Sequence, residues 1–250
     1  MSLRVRATLI HLCGSALVAA LAWLLVFRVW YPWPLAVLAG GASLFTILVA
    51  VDVIIGPALT AVVANPRKPR AELMRDLAVV LALQLAAFAY GMYTVAAARP
   101  VALAFEVDLF RLVTAVEVDT PSLPKAPAAL QQLPWTGAVT LAAVKPGSAA
   151  EQLRTIELGL AGIPLAALPE YWREYSQESA KAWAASKPVA ELLSRHPDAA
   201  GAINAMAAQV EARAGSLRVL PLLARRSEGV VVLAEPGARI AGILPLVLGP

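Results

Sequence analysis

Three apolar runs, each long enough to cross a lipid bilayer, occupy most of residues 1–98 and limit what this chain can fold into. They cover about 7–27, 35–64 and 77–98, and the first holds no formal charge when His11 is neutral. A spanning helix needs about 20 predominantly apolar residues, and all three runs reach that length. The second is longer than required, so a tilt or kink is expected in it.

The cations give an orientation. Arg4 and Arg6 precede the first run, and Arg67, Lys68, Arg70 and Arg75 lie between the second and third. The other short loop, "RVWYPWP", carries Arg28 alone. Cytoplasmic loops collect Lys and Arg, so the N-terminus and the second loop are expected in the cytoplasm. Three crossings then put everything after Arg99 outside, which in a Gram-negative bacterium is the periplasm. Trp30, Tyr31 and Trp33 fit an aromatic belt at the outer interface. Ala20 and Ala22 resemble a signal-peptide cleavage site. The apolar run continues five residues past them, which favours an uncleaved anchor.

Charge divides the chain in two. Residues 1–98 hold 7 Lys/Arg and 3 Asp/Glu, and residues 99–250 hold 14 of each, so the net charge of +4 belongs to the N-terminal part. Basic residues that flank apolar runs are topology signals, not a nucleic-acid footprint, and no nucleic-acid partner is expected. Membrane lipid is.

Residues 99–250 read as an α+β domain. In 99–119, apolar residues fall on odd positions through Leu109 and then on even ones, so two strands with a turn or bulge around 108–111 are expected. A strand at 138–144 follows. Ser148 and Glu151 form a capping box that opens a helix to about Leu160. Helices at 178–186, 189–195 and 198–214 and strands at 229–234 and 239–244 complete about five strands and three or four helices. The fold class is thus a membrane protein, with three N-terminal transmembrane helices (domain 1–98) followed by an α+β periplasmic domain (99–250).

Residues that could carry chemistry are few. The single cysteine, Cys13, excludes an internal disulfide, and no nucleotide, zincin or hydrolase motif is present. No catalytic residue, metal site or cofactor is expected. Glu106 with Asp108, and Glu117 with Asp119, are carboxylate pairs two residues apart, read as the solvated face of a half-buried hairpin. They are also the only footing for an alternative function, a membrane-anchored envelope enzyme or ligand sensor. In "YWREY", Tyr171, Trp172 and Tyr175 suit either a partner contact or a helix end tucked into the core.

The strongest polar anomaly is Asp52, in "VDVIIGPALT". It lies 12 residues from Ala64, about 18 Å along a helix and so near mid-membrane. An acid at that depth costs about 2.5–3.5 kcal/mol on insertion scales and calls for a partner. The Tyr90 hydroxyl on the third run is at matching depth; Gln84 and Ser15 lie within reach. Gly56 precedes Pro57, whose missing N–H frees the carbonyl of Val53 in a regular α-helix. Asp52, Gly56, Pro57, Gln84 and Tyr90 are the candidate intramembrane polar contact, within this chain or toward a partner's helix.

Several stretches together resemble one family: "LIHLCGSALVAALAWLLVF", "WYPWPL", "VDVIIGPALT", "LQLAAFAYGMYTVAAARPVALAFEVDLF", "KPVAELLSRHP" and, more loosely, "GILPL". They are similar to the type IV pilin accessory proteins (TfpX/TfpZ-like). The resemblance implies a multi-pass bacterial inner-membrane protein without catalytic activity. It would assist type IV pilin, major or minor, alongside other pilus assembly proteins, by stabilising the subunit or helping it assemble in a chaperone-like way. It makes Gly91, Tyr93, Arg99, Pro100, Glu106 and Asp108, with the Asp52 group, candidates for fold or partner contact.

Overall fold

A computed structural model describes residues 3–65 and 67–247. Among the described residues, three helices are long and apolar enough to cross a membrane: a first at Arg4–Trp30, a second at Gly41–Val63 and a third at Arg70–Ala97. A sheet-containing domain follows. By compactness the chain forms two units, Met1–Pro32 with Gly41–Ala98, and Trp33–Gly40 with Arg99–Pro250.

In the first unit the second long helix is central and packs on both others. Its run is not continuous from residue 35. A separate turn, Leu35–Leu38, is followed by Gly40 at φ 76°, and the long helix starts at Gly41. Tyr31 is not in an exposed aromatic belt. It is buried, and its hydroxyl donates to the Val95 carbonyl at 2.8 Å, tying the end of the first helix to the third. At the other end, Arg4 Nε donates to the Ala64 carbonyl at 3.0 Å.

Gly91 on the third helix faces the Leu48 side chain on the second; a Cβ on Gly91 would stand 3.9 Å from that of Leu48. Disulfides favour Cβ separations of about 3.5–4.5 Å. Leu48→Cys with Gly91→Cys, in a Cys13→Ser background, is therefore expected to form an intramolecular disulfide on mild oxidation, read as a mobility shift on a non-reducing gel.

In the second unit, among the described residues, one mixed sheet runs β4-β3-β1-β2-β6-β7-β8, with the two-residue β5 pairing β6. The strands are β1 (Pro100–Glu106), β2 (Leu109–Thr114), β3 (Val139–Ala143), β4 (Trp172–Glu174), β5 (Lys187–Pro188), β6 (Arg218–Leu223), β7 (Glu228–Ala234) and β8 (Arg239–Leu244). The β1–β2 hairpin turns at Val107 and Asp108, with Val107 at φ 62°, a left-handed conformation that β-branched residues seldom adopt. This turn is the source of the phase flip in the sequence.

β1 is buried on both faces from Val101 to Phe105, so the expected solvated hairpin face does not exist. Ala102 and Ala104, at the even positions between the larger apolar residues, are fully buried, so the sheet is covered on that face too. One core gathers Val101, Leu141, Leu165 and Trp172; the other gathers Val189, Leu192, Ile203, Val219, Val230 and Val232 beneath helices Val189–Arg195 and Ala200–Gln209. Leu38 joins this unit: its carbonyl accepts from the Ser227 hydroxyl at 3.3 Å.

Local chemistry explains several boundaries. Ser148 caps helix Ala149–Leu160 by accepting from the Glu151 amide at 3.3 Å while Glu151 receives the serine hydroxyl at 2.7 Å. β2 stops at Thr114, and Glu117 folds back onto the Thr114 amide (2.8 Å) and hydroxyl (2.6 Å), opening a 3-10 turn. Glu117 is thus a cap rather than a member of a carboxylate pair. Asp119 accepts the Ser122 hydroxyl.

Candidate functional site

The polar residues of the first unit converge in one cleft. Its walls come from the first helix (Ala7 to Val18) and the third (Leu77 to Phe88), and its floor from Asp52 and Thr60 on the second. Each wall covers twelve residues, about 16 Å from first to last at the helical rise. The cleft encloses about 490 Å³ and is almost wholly apolar apart from its floor.

The floor follows from backbone hydrogen bonding. Residues Val51–Ile55 form a π-helical turn, in which the Gly56 amide reaches back five residues to the Val51 carbonyl. The Asp52 carbonyl would then need the amide of residue 57, and Pro57 has none. The π turn thus moves the orphaned carbonyl from Val53, where regular α-helical bonding would put it, to Asp52. Gln84 on the third helix fills the gap. Its Nε2 donates to the Asp52 carbonyl at 3.0 Å and to the Ser15 hydroxyl at 3.2 Å. Gly56 makes the approach feasible, since a Cβ there would lie inside 3.0 Å of the Gln84 carboxamide.

Asp52 itself is 5% exposed. The expected bond from the Tyr90 hydroxyl does not form. Tyr90 is 74% exposed and lines another cleft, of about 300 Å³ between the second and third helices, whose opposite edge touches Asp52. The sequence reading missed two members of the floor. His11 Nδ1 and Thr60 Oγ1 stand 2.5 Å apart. Spacing held the signal: His11 and Ser15 are four residues apart on one helix face, as are Asp52, Gly56 and Thr60.

The candidates in the sheet domain scatter. Tyr171 and Trp172 take the core alternative and offer no contact patch; Trp172 Nε1 donates to the Ala166 carbonyl at 2.9 Å. Tyr175 donates its hydroxyl to the Ala238 carbonyl at 2.8 Å, and burial pushes its pKa up to about 12. Burial, with the Glu170 carboxylate adding to it, also raises that of Tyr171. Glu106 pairs with Arg111 at 3.2 Å and accepts from the Ala166 amide at 3.4 Å. Both line an open hollow of about 440 Å³, but Asp108 stands apart in the exposed turn. Glu106, Asp108 and Arg111 therefore do not share one pocket. Among the described residues no group of three or more His, Cys, Asp or Glu is placed to hold a metal ion.

One surface feature went unnoticed in the sequence. Helix Ala149–Leu160 exposes Leu153, Ile156 and Leu160, which follow the three-and-four spacing of a single helix face.

The chain is similar in sequence to known proteins. The family model "Fimbrial assembly protein FimB" matches residues 1–40. "Fimbrial assembly protein, serogroup I" of Dichelobacter nodosus is 37% identical over 182 residues, which cover 73% of this chain and 71% of that protein. The serogroup E1 protein of the same organism is 36% identical over 74% of this chain and 72% of its own length. The protein of serogroups C1 and C2 is 41% identical over 47% of this chain and 89% of its own length. No solved structure matches. The chain belongs to the fimbrial assembly protein family, and a role in fimbrial assembly follows from that membership.

Proposed function

We propose that this protein is a non-catalytic accessory of type IV fimbriae that holds the fimbrial subunit, a type IV pilin, in the bacterial inner membrane before assembly. The N-terminus is cytoplasmic, the three long helices cross the bilayer, and the sheet domain is periplasmic. Two facts support this topology. Six of the seven cations in residues 1–98 flank the ends assigned to the cytoplasm. Residues 33–40 and 99–250, which two crossings would place on the same side, form one compact unit.

The observation that carries the function is the cleft. Its apolar walls suit a single apolar helix laid alongside, in the way grooves take amphipathic or apolar helices elsewhere. The exposed Leu153, Ile156 and Leu160 offer the sheet domain a second contact, to the soluble head of the same subunit.

Gly14 on the cleft wall has nothing within 4 Å of where a side chain would start. A photoreactive residue at Gly14 or Leu81 is therefore expected to capture the fimbrial subunit in living cells. The same residue at Ile54, which is exposed but lines neither cleft, is expected to capture none. Equal capture from all three sites would sink the docking reading. Deletion of the protein, scored separately for total subunit and surface fimbriae, sorts a stabiliser (subunit lost) from an assembly factor (subunit kept, fimbriae lost).

A further inference from the structure

We infer that the helix received by the cleft carries one hydrogen-bond donor at the depth of Asp52. This deepens the docking reading and rests on it. A count of polar atoms on the cleft floor leads there. His11 and Thr60 satisfy each other. Gln84 Nε2 is committed to the Asp52 carbonyl and to Ser15. Two side-chain atoms of the floor remain buried without a hydrogen bond to any described residue, Asp52 Oδ1 and Gln84 Oε1.

The orientation of the Gln84 amide is fixed by its neighbour. A backbone carbonyl can only accept, so the nitrogen must face Asp52's carbonyl and the oxygen must be the free atom. The Gln84 oxygen can only accept, and the Asp52 carboxyl keeps acceptor capacity whether or not it carries a proton, so the guest that completes the floor brings an N–H or O–H.

An acyl chain filling the cleft has no such group and would leave both oxygens unpaired in an apolar site, where the penalty for an unmade bond is greatest. Lipid headgroups lie too far from the midplane. A partner helix made wholly of Leu, Ile and Val fits the walls but leaves the floor unsatisfied. A helix bearing one Asn, Gln or Lys at that level, with donors for both oxygens, satisfies both parts. The floor then acts as a register mark: it fixes how deep the guest sits as well as whether it binds.

The test uses the full chain in proteoliposomes and two labelled synthetic helices of 23 residues, the length of the second long helix. Both are Leu/Ala helices; one carries a central Gln and the other a Leu there. Binding is read by energy transfer to a dye on the chain. The Gln helix is expected to bind about three- to twenty-fold more tightly, the range set by single interhelical hydrogen bonds in lipid. The preference is expected to vanish when the Gln is moved two turns toward either end, and in Asp52→Leu, whose fold the Leu48/Gly91 disulfide checks. The comparison of probes on the unaltered chain needs no variant, so misfolding cannot mask the result. Equal binding of the two helices would overturn the donor requirement while leaving the docking reading in place. Failure of both to bind, together with no capture from Gly14, would overturn both.

Discussion

Trp172→Ala is expected to produce the largest loss of stability available to a single substitution in the sheet domain. The indole is 1% exposed, packs in the core with Val101, Leu141 and Leu165, and donates its N–H to the Ala166 carbonyl. Truncation removes the ring, leaves a cavity under β3 and β4, and strips that buried carbonyl of its donor. Such changes cost about 3–5 kcal/mol. Against a typical stability of about 5–15 kcal/mol, much of the domain's reserve is gone. For a domain of this size each kcal/mol moves the melting temperature by about 2–4 °C, so a drop of roughly 10 °C is expected. The measurement is the temperature at which protease begins to cut the domain in isolated membranes. Leu160→Ala, on a side chain that is 86% exposed, serves as the control and is expected to stay within about 0.5 kcal/mol of the parent. If Trp172→Ala tracks the control, Trp172 is not the centre of that core.

The sequence was most legible where one local rule dominates. Length and hydropathy marked three helices, with two revisions: a turn at residues 35–40 splits an apolar run that hydropathy alone cannot divide, and the third helix begins at Arg70, ahead of its apolar run. The Ser148–Glu151 capping box, the 189–195 helix and the last two strands also follow from neighbours in the chain. β6 did not, because Pro221 in its middle argues against a strand. β4 is three residues in a Pro-interrupted stretch. The two-sided burial of β1 was hidden because Ala102 and Ala104 look like polar-face positions until the layer over them is known.

The site was legible in part for a related reason. Asp52, Gly56, Pro57 and Gln84 could be singled out because each is unusual in an apolar run. Their arrangement could not, because it depends on a π turn that shifts the unpaired carbonyl by one residue. Tyr90 was preferred on depth, and depth alone does not say which way a side chain faces. His11 gave no local sign of its role, because its partner, Thr60, is 49 residues away.

The second large effect belongs to Gly56→Leu. The Asp52 carbonyl has lost both intrahelical donors, one to the π turn and one to Pro57, and depends on Gln84 from the third helix. That dependence requires an empty position at residue 56. An Ala there meets only the mobile end of the Gln84 side chain, which can swing aside, so Gly56→Ala is expected to give up those hydrogen bonds and little else. A Leu fills the position outright. It expels Gln84, leaves a backbone carbonyl unsatisfied at about 1–3 kcal/mol, and adds overpacking of about 1–3 kcal/mol between the second and third helices. Since 1.4 kcal/mol is a factor of about ten, surface fimbriae are expected to fall at least about tenfold in Gly56→Leu, and by less in Gly56→Ala. The Leu48/Gly91 disulfide yield is expected to fall in the same order, because both report the distance between the same two helices. Gln84→Leu at an unaltered Gly56 separates the causes: it removes the donor without the wedge, and is expected to fall between the other two. A Gly56→Leu chain that keeps both its fimbriae and its engineered disulfide would show that the closure of Gln84 onto Asp52 is dispensable, and that the cleft floor has no part in assembly.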